Sequence, residues 1–348
     1  MYKVGVLGNC CTHGVGAVSS LNAREDIKII AGYEPNPRRA SELSNALGFA
    51  LAKSYEEICE NSDVDIVVIT TDPCDKAKMV EKACKAGKHI FLNKPFCHTL
   101  ADANRIVKAV EESGIKLVFD IPMVKFLPPL SKLKEEILAG KYGKIISYYH
   151  VFGMTFPVDF PIYELWPERF DPPEKSGGGE MTNMGCYAID FAVTLLGMPI
   201  AVQAKWMKFW KEYQDANVEN FGQIILYYGD FYAMLSVGKQ KLIDEPIKGN
   251  NSLSLLFEHT NIFIDPYSET LMINGISKEF REYLTGYESE SSIDQLLRCI
   301  ETGEDPESNV RIGVMGVEVL MAAYRSIVGD GRIVSLPLKE QQNPLFCT

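Results

Sequence analysis

Between Tyr2 and Phe119, short β-branched apolar runs alternate with longer stretches of helical period. Val4 to Leu7, Ile27 to Tyr33, Ile66 to Ile69, His89 to Leu92 and Lys116 to Phe119 read as strands, and amphipathic helices fill the intervals. Ser54 with Glu57, and Thr99 with Asp102, have the spacing of N-terminal capping boxes, which places helix starts at Tyr55 and Leu100. Strands alternating with helices of this length predict βαβ units and a parallel sheet.

From about Lys144 the pattern changes to longer alternating runs: Lys144 to Phe152, Gln203 to Phe209, Gln223 to Tyr228 and Phe231 to Val237. These predict a mostly antiparallel sheet. Gly229-Asp230 and Asn274-Gly275 each separate two strand-like runs by two residues, the signal of a tight hairpin. Two late helices, about Ser291 to Thr302 and Val310 to Val328, are expected to cover one face of that sheet. Val202, Ala204, Trp206, Lys208 and Trp210 share a strand face that suits either a core or an interface. The expected organisation is an α/β domain over 1–122 and an α+β domain with an open sheet over 123–348.

Composition narrows the functions. The chain has 348 residues and a formal net charge of -11, with no basic block, so a nucleic-acid backbone would meet net repulsion. No run approaches the roughly 18 apolar residues of a membrane span. Nine cysteines without a spaced framework read as reduced thiols in a cytoplasm-like compartment.

The chemistry concentrates at strand ends. Gly8 closes the first strand and a helix pattern begins near Gly14, so this βα turn is where a dinucleotide pyrophosphate would sit. The glycine fingerprint is degenerate: Cys10 takes the place of the second glycine, and Gly14 arrives one position late. Cys10, Cys11 and His13 are soft ligands, but adjacent cysteines seldom chelate one ion and no second pair is suitably spaced, so no metal is expected. Glu34, ending the second strand, is placed to accept from adenosine ribose hydroxyls and to repel a 2'-phosphate, which predicts NAD(H) over NADP(H). Arg38 and Arg39 follow closely and offer the opposite, a grip on a ribose phosphate. Lys94 lies at the carboxyl edge of the sheet, where open α/β sheets bind ligands. In the second half, Gly177-Gly178-Gly179 leads into a helix that sets Asn183 and Tyr187 four residues apart on one face.

These motifs together resemble the glucose-fructose oxidoreductase, inositol dehydrogenase and MocA-like (Gfo/Idh/MocA) family over nearly the whole chain. The Gly8 turn, Ala86-Gly87-Lys88-His89 through Lys94-Pro95, the Gly177 to Asp190 run and the closing Gly331-Arg332-Ile333-Val334 carry the likeness. It implies a Rossmann domain binding NAD(P), an open-sheet C-terminal domain, and hydride transfer between nicotinamide and a sugar, polyol or cyclitol carbon. It implies cofactor contacts at Gly8, Cys10, Thr12, His13, Gly14, Glu34, Thr70, Thr71, Asp72, Asn93 and Lys94. The family's lysine falls on Lys94, and its aspartate and histidine positions fall on Asn183 and Tyr187. Tyr187 is then the acid-base, assisted by Lys94 and Asn183. The resemblance also implies a homodimer or homotetramer through the C-terminal sheet. Between Phe156 and Asp171 an aromatic, proline-rich stretch with Trp166 and Arg169 suits either a pocket wall or packing, and Lys125 is a further basic candidate for substrate. The chain departs from the family at Cys10, Asn93 and Asn183, and at Thr70-Thr71-Asp72-Pro73, where a later Lys76 stands near the family's histidine. Those departures keep open an alternative: a nucleotide-binding or sensing relative without turnover.

Overall fold

β1 (Tyr2–Leu7), β2 (Ile27–Tyr33), β3 (Ile66–Ile69), β4 (His89–Asn93) and β5 (Leu117–Asp120) form one parallel sheet in the order β2-β1-β3-β4-β5. The coordinates are a computed structural model that describes residues 1–121, 127–243, 248–265 and 268–347. Lys125 lies outside the described residues. Each strand falls within a residue or two of the run that predicts it, because a parallel sheet covered on both faces needs continuous apolar strands.

Helices fill the intervals between these strands. They are α1 (His13–Asn22), α2 (Pro37–Leu47), α3 (Tyr55–Glu60), α4 (Lys76–Lys85) and α5 (Leu100–Ser113). Ser54 accepts from Glu57 N–H and Thr99 from Asp102 N–H. Asn36 caps α2 through the N–H groups of Arg38 and Arg39, and Gly48 closes it at φ 76°.

The chain divides into two compact units, the first made of Met1–Ile121, Glu174–Gly177 and Ser291–Val314, and the second of the remainder. The first unit therefore recruits two distant segments that a boundary at 122/123 assigns elsewhere. Leu296 and Leu297, on the helix Ser292–Thr302, are buried in one cluster with Val4, Val6, Val18, Leu43, Val68 and Val118. That helix covers the parallel sheet and not the antiparallel one. Arg24 reaches Asp294 at 2.7 Å and anchors its first turn. Helical periodicity fixes which face is apolar but not which sheet receives it.

The second unit holds β6 (Ile145–Pro157), β7 (Ala201–Met207), β8 (Phe221–Tyr227), β9 (Tyr232–Leu242), β10 (Lys248–Phe257), β11 (Asn261–Asp265), β12 (Thr270–Ile273), β13 (Ile276–Glu279) and β14 (Val334–Ser335). Their order is β13-β12-β11-β10-β6-β9-β8-β7-β14. Both predicted hairpins are present, at β8–β9 and β12–β13. One central pair, β6 with β9, is parallel. Two strands and several helices separate that pair along the chain, so its partners meet by crossover and not by a turn.

The helix Gly185–Leu196 packs on β6 and β9. Val202 and Ala204 are buried, so that end of the face is core, while Lys208 and Trp210 lie beyond the end of β7.

Candidate functional site

In the first unit the turn after β1 hangs from the strands on either side of it. Gly8 N–H donates to Tyr33 O at 2.7 Å, Asn9 N–H to Glu34 Oε2 at 2.7 Å, and Cys10 N–H to Thr70 O at 3.0 Å. Gly8 has φ 97°, and a Cβ there would stand 2.5 Å from the Thr71 main chain, so both conformation and space demand glycine. Buried Asn9 accepts from Val15 N–H at 3.0 Å and ties the turn to α1. Cys11 and Thr12 are both left-handed, at φ 49° and 63°. Hydrogen bonding with Cys11, together with burial, pushes the Cys10 thiol well above its usual range, which keeps it protonated and a poor metal ligand.

The next strand ends complete this edge. His13 Nδ1 meets Asn93 Oδ1, and Asn93 Nδ2 donates to Asp120 Oδ2 at 2.9 Å. Lys94 is 6% exposed; its N–H donates to Asp120 O at 3.1 Å, and the peptide to Pro95 is cis. Fully buried Lys76, on α4, donates its ammonium to the carbonyls of Asn93 and Pro95 on either side of Lys94. The hydroxyl of Thr71, buried beside the Gly8 turn, has no hydrogen-bond partner among the described residues.

A nicotinamide dinucleotide fits this edge. The strand order reverses direction at β1, the turn precedes the N-terminus of a ten-residue helix, and Thr71 presents an orphaned hydroxyl. The turn, Thr70, Thr71, Asn93 and Lys94 are the residues that could hold it.

Glu34 is the exception. Its carboxylate is 0% exposed and ion-paired with Arg39 at 3.0 Å, and Arg39 in turn pairs with Asp72 at 2.8 Å. This enclosure removes the physical ground for expecting Glu34 to touch a ribose and to favour NAD(H).

In the second unit the glycine run is shaped by contact. A Cβ on Gly179 would stand 2.1 Å from Glu219 O, and one on Gly178 2.1 Å from the Tyr324 hydroxyl. The buried Glu219 carboxylate accepts from Gly179 N–H at 3.1 Å, Met181 N–H at 2.9 Å and Tyr324 O–H at 2.8 Å. Burial raises this carboxyl to about 7, against the pull of those donors.

Beyond the glycines, one turn over Glu180–Asn183 and the helix Gly185–Leu196 are separated by Met184, so Asn183 and Tyr187 sit on two successive segments and not on one unbroken helix. The Tyr187 ring stacks on Phe152, with centroids 4.9 Å apart. Asn183 Nδ2 donates to Glu180 Oε2 at 2.7 Å, which turns the amide carbonyl away from Glu180. Glu180 also accepts from Tyr213 O–H at 2.6 Å and pairs with Lys239 at 2.9 Å. The Lys239 ammonium lies over Phe156 and Trp166, 5.6 and 5.8 Å from their centroids. Burial alone would raise Glu180, but Lys239, Arg169 and the two hydrogen-bond donors bring it down to about 2.

Trp166 and Phe170 pack with Phe156, Trp210 and Tyr213, which is the packing role left open for the aromatic stretch. Lys76, Glu180, Glu219 and Lys239 carry no sequence pattern that singles them out. Only the place of Lys76, where the resembling family has histidine, offers a signal.

Comparison with known proteins agrees with this geometry. Residues 2–120 match the model of the oxidoreductase family with an NAD-binding Rossmann fold, and residues 130–241 match the GFO/IDH/MocA C-terminal domain. The chain belongs to the Gfo/Idh/MocA family. It is 27% identical to D-xylose 1-dehydrogenase (NADP(+)) 2 of Haloferax volcanii over 58% of this chain and 59% of that protein. It is also 27% identical to scyllo-inositol 2-dehydrogenase (NAD(+)) of Bacillus subtilis, over 55% and 54%. The chain spans about half the length of the curated relatives it matches. Among solved structures, an oxidoreductase from Agrobacterium radiobacter in complex with NAD+, L-tartaric acid and magnesium aligns over 96% of this chain and 98% of its own, with TM-score 0.80 and 16% identity. Members of the family with the same fold thus carry either cofactor in their names. Among the described residues no helix is long and apolar enough to cross a membrane.

The two buried carboxyls give opposite pH signatures. Glu180 binds its proton more weakly folded than unfolded, so its stabilisation is complete above about pH 4.3 and is lost as the pH falls toward 2. Glu219 binds its proton more tightly folded, so its contribution is complete below about pH 4.3 and is lost as the pH rises through 7. Glu180→Gln, which leaves Lys239 buried without its carboxylate, should cost about 3–5 kcal/mol at pH 7 and flatten the acid limb of stability. Glu219→Gln should instead abolish the decline between about pH 4.3 and 7. Urea unfolding across pH 3 to 8 measures both.

Proposed function

We propose that this chain is an NAD(P)-dependent oxidoreductase acting on a CH–OH carbon of a sugar, polyol or cyclitol-like substrate. The observation that carries the reading is the locked main chain around Lys94: Asp120 O holds its N–H, and buried Lys76 holds the carbonyls before and after it. A lysine held this firmly at the carboxyl end of β4 is a presented group and not a solvated turn residue. The names of the xylose and inositol dehydrogenase relatives support the substrate class.

When bound, the nicotinamide supplies the hydride acceptor or donor. Tyr187 takes the hydroxyl proton in oxidation and returns it in reduction. A phenol with a usual pKa of about 10 does this at neutral pH only when positive charge favours the phenolate, and Lys94 supplies that charge. Asn183, its amide orientation fixed by Glu180, receives a substrate hydroxyl or orients Tyr187. Trp166 and Arg169 serve through the Glu180 cluster, Trp166 under Lys239 and Arg169 by its charge on Glu180.

A second reading, a nucleotide-binding or sensing relative without turnover, is favoured by the departures at Cys10, Asn93 and Asn183. Cysteine usage favours a cytoplasmic setting for either.

The partner we propose is a second copy of the chain, through the uncovered face of the second unit's sheet. Met272, Phe263, Ser254, Tyr149, Met234, Ile225 and Gln203 are successive cross-strand neighbours, a single row spanning seven strands. Phe263, Tyr149 and Met234 are about two-fifths exposed in that row, and contiguous exposed apolar side chains of this kind mark interaction surfaces.

Tyr187→Phe keeps the ring and removes the proton acceptor, so turnover should fall by about 10²- to 10⁴-fold with cofactor affinity retained. Lys94→Met should cost as much. Full turnover by Tyr187→Phe on an authentic polyol, followed at 340 nm, would contradict the assignment. Cofactor binding with no turnover across a broad polyol panel would favour the sensing relative. Light scattering should show a species at least twice 38.9 kDa, and Tyr149→Glu with Met234→Glu should reduce it to the monomer.

A further inference from the structure

Four charged side chains meet beneath the turn after β1, and their bonds account for both carboxylates. Glu34 Oε2 accepts from Asn9 N–H at 2.7 Å, while Oε1 accepts from Asn36 N–H at 2.8 Å and Arg39 Nη2 at 3.0 Å. Arg39 donates both terminal nitrogens to Asp72, at 2.8 and 2.9 Å, the two-pronged geometry that suits guanidinium and carboxylate. Lys175 adds a second cation 3.5 Å from Asp72. Two carboxylates and two cations leave no net charge. The side chains of Glu34, Arg39 and Asp72 are 0%, 3% and 6% exposed. Burial alone would raise the Asp72 carboxyl, yet the Arg39 hydrogen bonds and charge hold it below its usual range, so Asp72 stays ionised beside Arg39. Arg38 is different. It stands on the first turn of α2, 44% exposed, and pairs with Glu42 across one helical turn. Such surface pairs are weak and exchange readily for a stronger anion.

We propose that Glu34, Arg39 and Asp72 form a sealed charge cluster that positions the dinucleotide turn and reads no ribose hydroxyl, and that discrimination between NAD(H) and NADP(H) passes to Arg38. The inference rests on the binding of a nicotinamide dinucleotide at this turn, proposed above. A carboxylate with no exposed oxygen has none to offer a ribose, and a neutral cluster does not repel a 2'-phosphate. Arg38, by releasing Glu42, gains a dianionic partner. The chain then takes both cofactors with similar affinity. Glu34 contributes to each equally, because what it holds is the Asn9 main chain.

Calorimetric titration of the full chain with NADH and with NADPH tests this without any substrate. The two affinities should lie within about tenfold of each other, and Arg38→Ala should weaken NADPH by about tenfold more than NADH. Glu34→Gln should weaken both by a common factor and leave their ratio unchanged. Weaker NADH binding with tighter NADPH binding in Glu34→Gln would overturn the inference and restore Glu34 as a ribose ligand. Should that variant fail to fold, the wild-type ratio and Arg38→Ala decide: a preference for NADH above about a hundredfold that is unaffected by Arg38→Ala overturns it equally. Failure of the wild-type chain to bind either cofactor would overturn the nucleotide reading itself, an outcome distinct from binding with a shifted ratio.

Discussion

Arg39, buried between Glu34 at the end of β2 and Asp72 just after β3, is the contact on which the first unit's ligand edge depends. Removing three charges from water is costly unless each is paired, so losing any one member would leave its partner buried and uncompensated. Once formed, it fixes two strand ends on either side of β1. The turn between them is suspended residue by residue: Gly8 from Tyr33, Asn9 from Glu34, Cys10 from Thr70. A rigid turn follows from paired charge, even where Cys10 replaces a glycine that would otherwise permit closer approach.

The second unit uses the same device with different residues. Glu180 gathers Lys239, Tyr213 and Asn183, and Glu219 gathers the N–H groups of Gly179 and Met181. In both units a buried carboxylate converts charge into the position of main chain or amide. Lys76 does likewise from the other sign, a buried ammonium that fixes carbonyls.

What the sequence revealed follows from what is local. Strand runs, the Ser54 and Thr99 caps and both two-residue hairpins depend on neighbours in the chain, and they are where the pattern puts them. The helix Ser292–Thr302 was assignable as a helix but not to a sheet, since its apolar face suits either. The parallel pairing of β6 with β9 and the burial of Val202 and Ala204 are also decided by packing at a distance. Glu34 shows the sharper limit. Its place after β2 is legible, but whether its carboxylate faces a ribose or Arg39 depends on Asp72, 38 residues further on. Nothing in the local pattern marks Lys239 or Lys76 for burial, which depends on acceptors elsewhere in the fold.

The proposed function requires direct hydride transfer between a substrate CH–OH carbon and a bound nicotinamide. A polyol that supports reduction of NAD+ or NADP+ should be prepared with deuterium on the reacting carbon, and the reduced cofactor analysed by mass spectrometry. Direct transfer places one deuterium at nicotinamide C4 in every turnover. Reduced cofactor carrying hydrogen from solvent at that position would contradict it.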